Sequence, residues 1–195
     1  MLITNEFEVA QPIDKVWRFF DNIPDVAACL PGAELTEDLG GDRYKGRVSI
    51  RMGPVRLRFN GTADITDRDN DAKRIVVDAA GADERGRGQA AMTVTAQLTS
   101  AARGTKVGVT QDLQLSGAAA QYGRGMISDV SSVLMRDFAV NLQNGITRRD
   151  RGEQVQARAP GTAEAGGLAI GLRAALMALQ RVFRRFFAPY QPAAR

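Results

Sequence analysis

Asp67, Asp69 and Asp71, followed by Asp78 at the twelfth position, have the carboxylate spacing of a calcium-binding loop. The sixth position is Ala72, where such a loop needs glycine. The twelfth ligand is not a bidentate glutamate, and a strand pattern starts near Lys73. The segment reads as a turn. Residues 86–90 (GRGQA), preceded by Glu84 and Arg85, imitate a phosphate-binding loop but feed a strand and lack the helix N-terminus that holds phosphate. They read as a hairpin turn. Asp83 and Glu84 are adjacent, so in a strand they point to opposite sides and are not a paired acid and base. Cys29 is the single cysteine, and histidine is absent. That excludes an internal disulfide, thiolate clusters, Ser-His-Asp and Cys-His catalysis, the usual zinc sites and axial histidine ligation of haem. The expectation is a binding protein, not an enzyme, with no metal site and no covalently bound cofactor.

The remaining chemistry sits in a tail. Residues 167–189, GLAIGLRAALMALQRVFRRFFAP, carry four arginines and no acidic residue. The net charge of +4 resides in residues 160–195, because the remainder of the chain balances to zero. A nucleic-acid-binding fold spreads its basic stripe over the core domain, so no nucleic-acid partner is expected. On a helical wheel Leu168, Leu172, Leu176, Leu179, Val182, Phe183, Phe186 and Phe187 share one side. Arg173, Gln180, Arg181 and Arg184 take the other, Arg185 lies towards an edge, and Ile170 and Met177 blur the polar face. About 20 residues make roughly 30 Å of helix, long enough to span a bilayer. Each arginine near the bilayer centre costs about 2.5–3.5 kcal/mol, so lying in the interface fits better, arginines towards anionic headgroups. The alternatives are docking on a protein partner or on its own domain. The N-terminus, MLITNEFEV, lacks the charged and apolar regions of a signal peptide. The expected location is cytoplasmic, peripheral to the inner face of the cell membrane.

The elements that position these groups follow from periodicity. Residues 2–9 alternate as a strand, with Ile3, Asn5, Phe7 and Val9 on one face. Pro12 and Asp14 open a short helix to Phe20, and a second short helix ends at Pro31-Gly32. Period-two alternation then runs through six more strands up to Leu115, with turns at 67–71, 83–88 and 101–104. Met126, Ile127, Val130, Val133, Leu134, Phe138 and Leu142 recur at helical spacing, predicting a long amphipathic helix over 123–144. The fold class is α+β: a helix-grip curved antiparallel sheet of about seven strands around a long C-terminal helix. Its parts are this domain at 1–147, a flexible linker at 148–167 and a membrane-surface helix at 168–188.

Residues 12–17 (PIDKVW), CLPGAEL at 29–35, GPVRLRFNGTAD at 53–64 and LSGAAAQYGRGMISDV at 115–130 together resemble the carbon monoxide dehydrogenase G-subunit family, a branch of the START-like, polyketide cyclase-like group. The resemblance implies a lidded apolar cavity between sheet and helix. It also implies an accessory role beside a molybdenum-containing carbon monoxide dehydrogenase or a related hydroxylase. Inward-pointing positions then nominate Leu30, Phe59, Met92, Val94, Gln111, Leu113, Met126, Ile127, Val130 and Leu134 as ligand-binding residues. Gln111 shares the parity of Val107, Val109, Leu113 and Leu115, and is either a satisfied core amide or a partner for a ligand carbonyl. The membrane-binding set is Leu172, Arg173, Leu176, Leu179, Arg181, Phe183, Arg184, Arg185, Phe186 and Phe187. The expected cargo is a hydrophobic small molecule, a respiratory quinone (menaquinone or ubiquinone), shuttled between membrane and dehydrogenase. The rival reading is a ligand-free recruitment or assembly factor.

Overall fold

The computed structural model describes residues 1–52 and 55–153, without the side chains of Met52 and Val55. One seven-stranded sheet holds β1 (Leu2–Val9), β2 (Ala33–Gly40), β3 (Arg43–Met52), β4 (Val55–Asp69), β5 (Arg74–Asp83), β6 (Gln89–Ala101) and β7 (Gly104–Leu115). Every neighbouring pair is antiparallel, in the order β1-β7-β6-β5-β4-β3-β2. Helices α1 (Ile13–Phe20) and α2 (Ile23–Cys29) carry the chain from one sheet edge to the other. A 3₁₀ turn at Gly117–Gln121 then leads into α3 (Arg124–Asp150), which runs along β1 and against α2.

Local chemistry sets these boundaries. Pro12 stands at the N-cap of α1, and Val16, Trp17, Phe19 and Phe20 form its buried face. Asn22 caps α2, its side-chain oxygen accepting the Asp25 N–H at 3.2 Å. The Trp17 indole donates to Asn70 Oδ1 at 3.0 Å, seating the β4–β5 turn on α1 with Arg68 and Lys73 over the ring. The long helix departs from the expected 123–144, since it continues to Asp150 and so takes in residues 148–150 of the expected linker. Its last turn is polar, but it is held from outside: Lys15 pairs with Asp150, and Arg149 donates to the Arg18 carbonyl.

The sheet curls because its middle strands lack side chains on one row. Gly46 pairs with Gly61, Gly61 with Gly81, and Gly81 with Ala90. A Cβ on Gly61 would lie 2.0 Å from the Ala80 carbonyl oxygen and 2.6 Å from the Gly81 Cα. The backbones approach more closely than any side chain allows, and a register shift between Ile65 and Asp67 adds to the bend.

Two apolar clusters fill the concave side. One end is closed: Val9, Val16, Trp17, Phe19, Phe20, Leu98, Val107, Phe138, Leu142 and Ile146 are all buried there. At the other end Ile3, Leu57, Ala119, Ile127 and Val130 are buried, while Ile50, Phe59, Leu113, Leu115, Tyr122 and Leu134 keep part of their surface open. The N-terminal part of α3 belongs to the open end and its C-terminal part to the closed end.

Candidate ligand-binding site

Strand register arranges the inward side chains in rows. One row is Ile3, Gln111, Val94, Val77 and Ile65, and the next towards the open end is Leu113, Met92, Ala79 and Ala63. Beyond it lies the row of Leu115, Ala90, Gly81, Gly61 and Gly46. Side chains therefore shrink across β3 to β5, where the sheet turns over and α3 does not run close. Met92, Val94, Val77, Ile65, Ala63 and Ala79 are only part-buried although they face the concave side. Part of the concave apolar face on β4–β6 is therefore left uncovered, with little side-chain volume supplied by the sheet itself.

Of the residues nominated from sequence, Phe59, Leu113, Ile127, Val130 and Leu134 come together in the open-end cluster. Met92 sits beside Leu113 in the same row. Leu30 and Val94 pack instead against the closed-end cluster, because periodicity gives the face of an element but not the end of the sheet it serves. Met126, in the first turn of α3, is 45% exposed. The ten tail residues, Leu172 to Phe187, lie outside the described residues. Among those described, no helix is long and apolar enough to cross a membrane.

Gln111 is only 7% exposed and faces inward between Ile3 and Val94. Its Oε1 accepts from Ser131 Oγ at 3.1 Å, and Ser131 Oγ in turn accepts from Asn5 Nδ2 at 3.0 Å. Ser132 Oγ lies 3.2 Å from Asn5 Oδ1 on the far side. A polar chain thus crosses from β1 through α3 to β7, midway along an otherwise apolar interior. Ser131 and Ser132 were not evident in the sequence; the available signal was that Ser131 shares the helical stripe of Ile127, Val130 and Leu134.

The open end is braced by a second network, which sequence patterns also missed. Asp83 accepts Arg87 Nε and Nη2, each at 2.8 Å, and the backbone N–H groups of Arg58, Arg85 and Arg87. Arg87 Nη2 also donates to the Arg56 carbonyl at 2.8 Å. The Arg87 guanidinium, with the three amides, holds the Asp83 carboxyl well below the usual carboxylate range. The carboxylate is covered by its own turn rather than sunk in the core, and it acts as the scaffold of the β5–β6 hairpin. Burial, with a smaller contribution from Asp25, pushes the Cys29 thiol up to about 12, which makes it a poor nucleophile.

Of the aspartate ladder, Asp67 and Asp69 end β4, Asp71 lies in the β4–β5 turn and Asp78 lies in β5. Asp69 Oδ1 accepts the N–H groups of Asp71 and Ala72, Asp67 pairs with Arg74, and Asp78 accepts from Thr93 on the convex face. No group of side chains suited to a metal ion occurs among the described residues. A separate open hollow of about 340 Å³ lies at Gly108, lined by Thr4, Asn5, Glu6, Thr95, Gln97, Val109 and Thr110.

This architecture is shared widely. A conserved protein from Geobacillus kaustophilus superposes with a TM-score of 0.67 at 22% identity, covering 76% of this chain and 96% of that one. A Thermus thermophilus protein gives 0.55 at 14%, covering 76% and 99%. An aromatase/cyclase from Streptomyces sp. R1128 gives 0.50 at 16%, covering 76% and 94%. Identities this low establish the helix-grip fold and nothing further. No curated protein matches the chain. The family model for the carbon monoxide dehydrogenase G-subunit (CoxG) matches residues 6–147, the sheet and nearly all of the long helix, so the chain belongs to that family.

Proposed function

We propose that this chain is a non-catalytic carrier that takes a respiratory quinone into the space between β3–β7 and α3 and moves it between the membrane and a molybdenum-containing carbon monoxide dehydrogenase. Family membership implies the accessory role beside a carbon monoxide dehydrogenase. The observation that carries the ligand reading is the part-open inward face: Met92, Val94, Phe59 and Leu113 on the sheet and Leu134 on α3 keep part of their apolar surface open. Apolar surface left in contact with water is costly, at about 25 cal/mol per Å², and an isoprenoid chain covers such a surface well. The basic amphipathic segment 168–188 is the part of the chain suited to an anionic bilayer surface, where a quinone resides. Reduction of the quinone belongs to the dehydrogenase and its own cofactors.

The test is solvent extraction and mass spectrometry of the full-length protein and of a form ending at residue 153. A quinone in stoichiometric amount in both supports the carrier. A clean extract from both, together with failure to take up added quinone, leaves a ligand-free recruitment factor. Lipid in the full-length form alone assigns the hydrophobic binding to the tail.

A further inference from the structure

Charge is unevenly spread over the described residues. The open end comprises the tips of the β3–β4 and β5–β6 hairpins, the start of β2 and the first turns of α3, and it holds seven arginines against four carboxylates. The rest of the described chain has 13 basic and 17 acidic side chains. All four open-end carboxylates are engaged. Glu34 lies 3.4 Å from Arg47 Nε, and Glu84 lies 4.0 Å from Arg47 and 3.8 Å from Arg58. Asp83 is enclosed by Arg87 and three amides, and Asp129 also has a partner. Arg51, Arg85 and Arg124 are left without a carboxylate partner among the described residues. Two of them stand where stability alone disfavours a cation. Arg51 is directly opposite Arg56 in the β3–β4 register, and Arg124 opens α3, whose first turn contains no acidic residue. Met126, in the same turn as Arg124, is 45% exposed.

From this polarity we propose that the open end docks directly on an anionic lipid surface, with Arg51, Arg85 and Arg124 on headgroup phosphates and Met126 at the edge of the acyl region. The inference rests on the membrane part of the reading above, and it needs no bound ligand. Guanidinium groups supplied by three separate elements suit a plane of phosphates, which requires no fixed partner geometry. An apolar side chain exposed among them is accommodated at a bilayer interface, whereas an acidic protein face offers it nothing. The chain thus meets the membrane at two places, through this end of the domain and through residues 168–188.

The experiment is co-sedimentation of the full-length protein, free of quinone, with vesicles of phosphatidylglycerol and phosphatidylcholine in equal parts, and with phosphatidylcholine alone. An arginine near an anionic surface contributes about fivefold to binding. The triple variant Arg51→Gln, Arg85→Gln, Arg124→Gln is therefore expected to bind the anionic vesicles at least about tenfold more weakly. A control with the same loss of charge at exposed positions elsewhere, Arg18→Gln, Arg103→Gln, Arg136→Gln, is expected to stay within about twofold of the wild type. Should the first triple variant lose the wild-type melting profile, Arg85→Glu with Arg124→Glu, both at exposed positions, is the companion and is expected to weaken binding as much. Met126→Trp reports which end touches the surface: its emission is expected to shift to the blue on anionic vesicles. Equal losses in the two triple variants, or no blue shift, overturn docking of the open end and leave the tail as the membrane contact, as an acidic protein partner for the arginines would require. Failure of the wild type to bind either vesicle overturns the membrane reading together with it, while uptake of quinone stands or falls by the extraction test.

Discussion

Ala79 and Ala96 both face the concave side of the sheet, yet they stand in different surroundings, and replacing each with phenylalanine separates an open space from a packed core. Ala96 is 7% exposed and lies between Ile75 and Val109, within the closed-end cluster. A phenyl ring there has no room, and overpacking of this kind costs about 1–3 kcal/mol. For a domain near 150 residues, that lowers the melting temperature by about 2–12 °C. Ala79 is part-buried, lies between Met92 and Ala63, and is one row from the glycines that thin the sheet. Its added ring projects into the space under β4 and β5, so Ala79→Phe is expected to shift the melting temperature by no more than about 2 °C. The same ring is expected to abolish uptake of a short-chain menaquinone. Circular-dichroism melts of both variants, paired with dialysis of the ligand, give the comparison. If Ala79→Phe destabilises as much as Ala96→Phe, the concave face is packed core and offers a ligand no space.

Other expectations follow from the same geometry. Gly61→Ala forces a Cβ to 2.0 Å from the Ala80 carbonyl oxygen, a clash of backbone with side chain that rotamers cannot relieve, and is expected to cost about 2 kcal/mol or more in urea unfolding. Asp83 has a lowered carboxyl pKa, so its contribution to stability is present above the ordinary carboxylate pKa of about 4 and is lost as pH falls below it. Asp83→Asn should therefore have a lower urea midpoint than the wild type at pH 7, with the gap closing in acid; a gap independent of pH would remove the Asp83–Arg87 bridge as its cause. Cys29, buried with a thiol pushed up to about 12, should resist alkylation at pH 8 in the folded protein and react fully in denaturant. Rapid labelling of the native chain would show that α2 opens readily.

Much of the architecture is legible because the strands have one wet and one dry face. The alternation from Val107 to Leu115 fixes which side chains turn inward, and Gln111 does lie among them. What periodicity leaves out is position along the sheet: Val94 and Met92 share a face, but only register with Gln111 and Leu113 assigns them to different rows. The end of α3 is illegible for another reason. Residues 147–150 have no apolar stripe, and their helical turn is supported by contacts with α1, 130 positions and more away in sequence. The Asp83 network involves backbone amides from β4 and from the hairpin, and no side-chain pattern announces a carboxylate whose partners are largely main chain.

The direction of α3 sets the reach of whatever follows it. The helix has 27 residues, about 40 Å, and runs from the open end to the closed end. The rest of the chain thus departs from beside Lys15 and Arg18, at the end away from the apolar opening. The 17 positions 151–167 can stretch to no more than about 60 Å, only half as long again as the helix they must double back along. On the proposed membrane contact of residues 168–188, bringing the opening to the same surface takes up about 40 of those 60 Å. Removing about eight of those positions would leave roughly 30 Å, too short for that approach.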